Sequence, residues 1–197
     1  MRHKPIITLF CLLLLATVCP AQQQVWRRPD ATAPVFALKS NLLYDATVSF
    51  DLGAEFRIAP RWSLDLPFSY NPFTYSDNSK WKHFRVQPEA RYWLCEPFMK
   101  HFLGVHAHYA IYNVGGIGFP GLRDHRYEGW LLGAGVSYGY QWHLSPRWNI
   151  EASLGLGYAY LNYDRYECVK CGEFLNSGRK NYVGPTRAAV SLIYIIR

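Results

Sequence analysis

After residue 21 the chain lacks any run of about 18 apolar residues, which excludes a membrane-spanning helix. It also lacks any block of about five or six like charges. Its 21 Lys and Arg are scattered among 14 Asp and Glu, so the formal charge of +7 does not imply a nucleic-acid partner. Of five cysteines, Cys168 and Cys171 form a single CxxC, and the second half of a zinc site is missing. No spacing ties serine, histidine and an acid into a catalytic triad, an arrangement recognised by geometry rather than sequence position.

What is present begins with a secretory signal. Arg2 and Lys4 precede an apolar stretch over 6–18, and Cys19-Pro20-Ala21 offers cleavage after Ala21. The stretch is shorter than the roughly 17–25 residues that would span a bilayer. Cys19 follows Thr17-Val18 and Cys11 lies deep in the apolar stretch, so neither reads as a lipid-acceptor cysteine. Losing Arg2 and Lys4 lowers the formal charge from +7 to +5. Residues 22–35 read as a polar leader and 36–197 as one domain.

Trp130 to His143 is the clearest segment of that domain. One set of alternate residues is Trp130, Leu132, Ala134, Val136, Tyr138, Tyr140 and Trp142; the other is Leu131, Gly133, Gly135, Ser137, Gly139, Gln141 and His143. Strands send alternate side chains to opposite faces. Apolar on one face, small and polar on the other, with aromatics at both ends, is the pattern of a transmembrane β-strand. Seven further stretches repeat it: 36–44, 49–58, 62–70, 83–94, 101–112, 149–161 and 186–196. The connections alternate in length. Ala59-Pro60-Arg61 and Ser145-Pro146-Arg147 are tight and each leads into a Trp, whereas 71–82, 113–128 and 162–184 are long. Short periplasmic turns facing longer outer loops fit an outer-membrane barrel. The expected fold is therefore all-β, an eight-stranded antiparallel up-and-down transmembrane β-barrel in the cell outer membrane.

The faces assigned inward carry Lys39, Arg57, Arg85 and Arg91 against Glu55, Asp65, Glu89 and Glu151. Charges withdrawn from water must pair or cost several kcal/mol. Eight strands enclose a space that side chains can fill, so the expectation is a plugged lumen rather than a pore. Inward glycines of 130–143 and 149–161 would make room for the long Arg and Glu side chains opposite. A soluble barrel would turn the apolar face inward and the charged face outward. The scarcity of charge on either face of 130–143 and 149–161 argues against that.

Other chemistry is thinner. His106-x-His108 puts two imidazoles on one strand face, with Glu89 or Glu151 as a third ligand, but inward histidines also serve as hydrogen-bonding filler. In an oxidising compartment Cys168 and Cys171 suit a local disulfide; Cys95 falls in a turn on the opposite side of the membrane. Ser69, Asp77, His83, Asp124 and His125 are the candidates for a rim enzyme. Tyr75, Trp81, Phe119, Tyr127, Tyr163, Tyr166 and Phe174 in the outer loops suit contact with extracellular protein or glycan.

Ala37-Leu38-Lys39-Ser40-Asn41-Leu42-Leu43-Tyr44-Asp45, Arg61-Trp62-Ser63-Leu64, Gln87-Pro88-Glu89-Ala90-Arg91-Tyr92-Trp93, Tyr112-Asn113-Val114-Gly115 and Gly184-Pro185-Thr186-Arg187-Ala188 resemble the motifs of a family of Bacteroidales outer-membrane proteins catalogued as a domain of unknown function. The resemblance covers 36–197 and implies an outer-membrane barrel with no established activity. More loosely, the architecture is similar to small OmpA-like and OmpX-like barrels. Those end in an aromatic residue that the barrel assembly machinery reads; this chain ends Tyr194-Ile195-Ile196-Arg197, leaving Tyr194 for that part.

The reading is a non-enzymatic surface or structural barrel with a filled, charged lumen and no cofactor or metal. Its expected partners are membrane lipid, lipopolysaccharide and the assembly machinery, together with extracellular protein or glycan at the loops. The alternatives are a small barrel enzyme acting on outer-membrane lipid or lipid A, and a soluble barrel binding an apolar ligand. A converging Ser–His–acid cluster would mark the first, and an inward apolar cavity the second.

Overall fold

Alternating side-chain character builds nearly all of the described chain into strands. The computed structural model describes residues 34–75, 79–117, 122–123, 125–168 and 172–196. The signal peptide and leader (apart from 34 and 35), Asp77, Phe119, Asp124 and Cys171 lie outside the described residues. Nine strands are present among the described residues: β1 (Phe36–Asn41), β2 (Phe50–Ala59), β3 (Trp62–Asn71), β4 (Lys80–Val86), β5 (Glu89–Trp93), β6 (Lys100–Gly115), β7 (His125–His143), β8 (Trp148–Glu167) and β9 (Phe174–Ile196). One short helix, α1 (Leu42–Asp45), joins β1 to β2. All pairings are antiparallel, and β1 bonds both β2 and β9, so the sheet closes in a ring.

The strand expected over 83–94 is two strands. β4 and β5 both lie between β3 and β6, and Gln87-Pro88 separates them. Pro88 has no N–H to offer the ladder. Register nevertheless runs through: Val86 faces Tyr109 and Glu89 faces His106. Gln87 donates its N–H to the Pro67 carbonyl at 3.2 Å, and the Ala107 N–H donates to the Pro88 carbonyl at 3.1 Å. Nine strands therefore fill eight positions around the ring.

Two other expectations are corrected. The first strand stops at Asn41 rather than Tyr44, because the Asn41 carboxamide oxygen accepts the Leu43 N–H at 3.2 Å and caps α1. The long loop over 162–184 is largely strand and the one over 113–128 is strand at both ends, since β6 to β9 run on as extended hairpins. Alternation fades there, and polar cross-strand pairs replace it. Asn113 bonds Glu128 at 3.1 Å, Ser177 bonds Asp164 at 2.6 Å, and Tyr158 bonds Asn181 at 2.8 Å.

The ring has a turn end, closed by 60–61, 94–99 and 144–147, and a loop end that carries α1 and the far ends of β6 to β9. Inside and outside are inverted relative to a soluble fold. Among the described residues, 21 polar or charged side chains are buried against nine apolar ones, and Val105, Val136, Leu154 and Leu156 are all more than 60% exposed on the outer wall. The apolar minority is concentrated at the turn end, where Ala37, Phe98, Ile193 and Ile195 form one buried cluster. Phe98 takes a positive φ of 67° in the 94–99 turn, and Asn149 donates to its carbonyl at 3.0 Å.

Candidate functional site

The site is the charged interior just inside the turn-end apolar cluster. Register places Glu55, Asp65 and Glu89 directly opposite one another across β2, β3 and β5. Like charges facing across a sheet are unfavourable, so this row needs cations from elsewhere. Arg91 is the principal one. Its Nε meets Glu89 at 2.9 Å, its Nη1 meets Glu55 and Glu151 at 2.9 Å each, and its Nη2 meets Asp65 at 2.7 Å. The guanidinium also lies 4.3 Å from the centroid of the Phe102 ring. A planar fork of five N–H donors on a delocalised cation matches this use; a lysine could not span four carboxylates.

Lys39 bonds Glu55 at 2.7 Å and Glu151 at 2.9 Å, with Asp65 at 3.5 Å. Arg187 reaches Asp65 at 3.1 Å and Glu89 at 3.3 Å. Hydroxyls complete the shell: Ser63 donates to Glu55, Ser137 donates to Glu89, and the Trp93 indole N–H donates to Ser63 Oγ at 2.7 Å. Three cations thus face four carboxylates, leaving one negative charge in excess. Arg91, Glu55, Glu89 and Glu151 are fully buried.

Six of the eight expected lumen charges meet here: Lys39, Glu55, Asp65, Glu89, Arg91 and Glu151. Arg57 does not. It lies near the β2 end and donates to the Ala59 carbonyl at 3.4 Å, with no ion pair among the described residues. Arg85 stands apart toward the loop end, 3.9 Å from Asp51 and 4.4 Å from the Tyr44 ring. The expected balance of four against four is replaced by Arg187 entering for Arg57 and Arg85. Register between β8 and β9 shifts at Thr186, so both Thr186 and Arg187 turn inward. The Thr186 hydroxyl bonds His106 Nε2 at 3.0 Å, and its carbonyl accepts from Gln87 at 3.1 Å. Arg187 could have been found by parity with Ala189 and Ser191.

The expected room for Arg and Glu side chains is met mainly elsewhere: of the glycines in 130–143 and 149–161 only Gly155 borders such a side chain, that of Arg187. A Cβ on Gly104 would overlap the Glu89 carboxylate, whereas Gly133, Gly135 and Gly139 give space to His108, His106 and Phe102. The His106 and His108 rings are 5.7 Å apart, and the Nδ1 atoms of both have no hydrogen-bond partner among the described residues. Among the described residues no three His, Cys, Asp or Glu side chains are placed to share a metal ion.

Of the rim candidates, Ser69 and His83 come together, Oγ to Nε2 at 3.0 Å, but Ser69 is fully buried. His125 opens β7 away from them, and Asp77 and Asp124 are not among the described residues. The Cys168–Cys171 pairing is likewise outside them, through Cys171. The loop aromatics mostly pack on one another: Tyr127 lies 5.4 Å from Tyr163, and Tyr166 lies 5.7 Å from Phe174.

No curated protein and no solved structure matches this chain. A family model does, over residues 7–196, so the chain belongs to the family described as "Protein of unknown function (DUF3575)".

Proposed function

We propose that the chain is a non-enzymatic outer-membrane β-barrel protein whose lumen is plugged by its own charges and whose loop end makes surface contacts. The inversion of faces carries this reading: buried ion pairs inside, exposed leucine, valine and aromatic residues outside. Aromatic pairs near both ends support it, with Tyr140–Trp142 at 4.6 Å and Trp130–Tyr160 at 5.9 Å between ring centroids. Trp130 and Trp142 are twelve residues apart on β7. At about 3.3 Å per residue and a tilt of about 45°, that is roughly 28 Å along the barrel axis, close to the apolar band of a bacterial outer membrane. The likeness of the motifs to a Bacteroidales outer-membrane family supports the same location.

On this reading the outer wall contacts lipid and the loop end contacts lipopolysaccharide and extracellular protein or glycan. The assembly machinery reads the β9 end near Tyr194. The test is membrane fractionation with a gel run before and after boiling. Recovery in the outer-membrane fraction with a boiling-dependent shift in apparent size is the expected result. A soluble protein with no shift overturns the reading. Planar-bilayer recording should find no open-channel conductance, because Arg91 and its carboxylates fill the cross-section.

The Ser69–His83 pair favours one second reading, an enzyme acting on outer-membrane lipid or lipid A. Under that reading Ser69→Ala abolishes lipid hydrolysis by the purified protein; under the leading one there is no hydrolysis to lose.

A further inference from the structure

The two Pro-Arg-Trp turns build the same cluster twice on the outer wall of the turn end. In the first, Trp62 faces Tyr92 across β3 and β5, their ring centroids 5.2 Å apart at 60°. Arg61 Nη1 donates to the Tyr92 hydroxyl at 3.4 Å, and the Trp93 N–H donates to the Arg61 carbonyl at 2.9 Å. In the second, Trp148 faces Tyr194 across β8 and β9, at 4.9 Å and 61°. Arg147 Nη1 donates to the Tyr194 hydroxyl at 3.2 Å, and the Ile195 N–H donates to the Arg147 carbonyl at 2.8 Å. Trp62 and Trp148 are each 43% exposed. Ring pairing, hydroxyl contact and backbone anchor all recur, although the two turns are joined to different neighbouring strands.

Neither arginine is ion-paired among the described residues, although both are exposed; each has one neutral tyrosine hydroxyl as its side-chain partner. A guanidinium with most of its donors unused is a ready receptor for a phosphate. Because the tyrosine oxygen accepts from arginine, its own proton can point to the same anion. Each cluster also borders a recess. An apolar groove of about 660 Å³ runs from Trp62 and Tyr92 along Leu103, Val105, Val136 and Leu154. A mostly polar recess of about 240 Å³ is formed by Pro146, Arg147, Tyr194, Ile195 and Ile196. At the first cluster a cation bonded to Tyr92 beside an apolar groove is complementary to an amphiphile with an anionic head and a hydrocarbon tail; at the second the polar recess beside Arg147 suits the headgroup.

We propose that Arg61–Tyr92 and Arg147–Tyr194 are two glycerophospholipid sites, each holding a headgroup phosphate beside its tryptophan while acyl chain lies against the outer wall. The inference rests on the membrane reading above and specifies which lipid chemistry the turn end recognises.

The experiment is native mass spectrometry of the full chain purified in detergent and titrated with palmitoyl-oleoyl phosphatidylglycerol. The wild type should retain two lipids. Arg61→Gln and Arg147→Gln should each lose one, with about tenfold weaker retention at the altered site, and the double variant should retain none. The matching diacylglycerol, which lacks phosphate, should not be retained, and inorganic phosphate should not displace the lipid. Equal retention by the double variant, equal retention of diacylglycerol, or displacement by inorganic phosphate overturns the proposal. The boiling shift, run on every variant, separates the two levels of the account. A shift with unchanged lipid retention sinks only the phosphate sites; a wild type with no shift and no outer-membrane location sinks both.

Discussion

The two halves of the lumen are built differently. On the turn side, four carboxylates and three cations close on one another at hydrogen-bond distance over an apolar floor. On the loop side, Arg85 stands 3.9 Å from Asp51, and among the described residues Asp51 Oδ2, Arg85 Nε, Gln87 Oε1 and both histidine Nδ1 atoms have no hydrogen-bond partner; on the turn side Asp65 Oδ1 and the Gln141 carboxamide have none either. A small cavity of about 20 Å³ lies between, lined by Asp51, Asp65, Arg85, Gln87 and Arg187 among others. That is about the space one water needs. Buried charge is tolerated only where it is fully matched. The turn side is the more densely ion-paired half, and the loop side leaves its one ion pair long.

Substitutions should separate the halves. Arg91→Ala leaves only Lys39 and Arg187 to offset four buried carboxylates and should cost about 5 kcal/mol, read as loss of refolding or a much lower urea midpoint in detergent. Glu89→Ala should cost about 3 kcal/mol in the same assay, because Arg91 keeps three other carboxylates and Arg187 keeps Asp65. An unchanged midpoint for either would remove the plug from the account. Gly104→Ala forces a methyl into the Glu89 carboxylate and Ser137 hydroxyl, and about 2 kcal/mol of overpacking is expected as a fall in melting temperature. Asp51→Asn, on the loop side, should cost about 1 kcal/mol, since its ion pair is long and one oxygen is unbonded. Gly53→Ala should stay within about 0.5 kcal/mol, because its methyl would meet neighbours only at 3.5 Å and beyond. A Gly53→Ala penalty as large as that of Gly104→Ala would show that the space beside Lys39 and Asp65 is as tightly filled as that beside Glu89.

The plug was more legible than its boundaries. Parity alone assigned Lys39, Glu55, Asp65, Glu89, Arg91 and Glu151 inward, because a strand wall leaves each residue only two choices. Arg187 shares the inward parity of Ala189 and Ser191 and was readable from it; the irregularity at Thr186 hid only Thr186, which turns inward beside it against the alternation. Arg57 misled because parity says which face a residue takes but not how near the strand end it lies. The ladder break at Gln87-Pro88 could be read from the proline, whereas the continuation of register across it depends on carbonyls of Pro67 and Pro88 that no sequence pattern displays. The hairpin extensions of β6 to β9 were hidden because their partners are polar on both faces, and two-faced polarity looks the same in a strand and in a loop.

The most direct test of the central claim, apolar face to lipid and charged face to the lumen, is tryptophan quenching by brominated phospholipids. Two proteins reconstituted in vesicles suffice, each retaining one tryptophan with the others changed to Phe. Trp142 lies exposed on the outer wall, and Trp93 is fully buried against Ser63 and Phe102. The account predicts strong quenching of Trp142 and almost none of Trp93. Quenching of neither, or of Trp93 as strongly as Trp142, would contradict it.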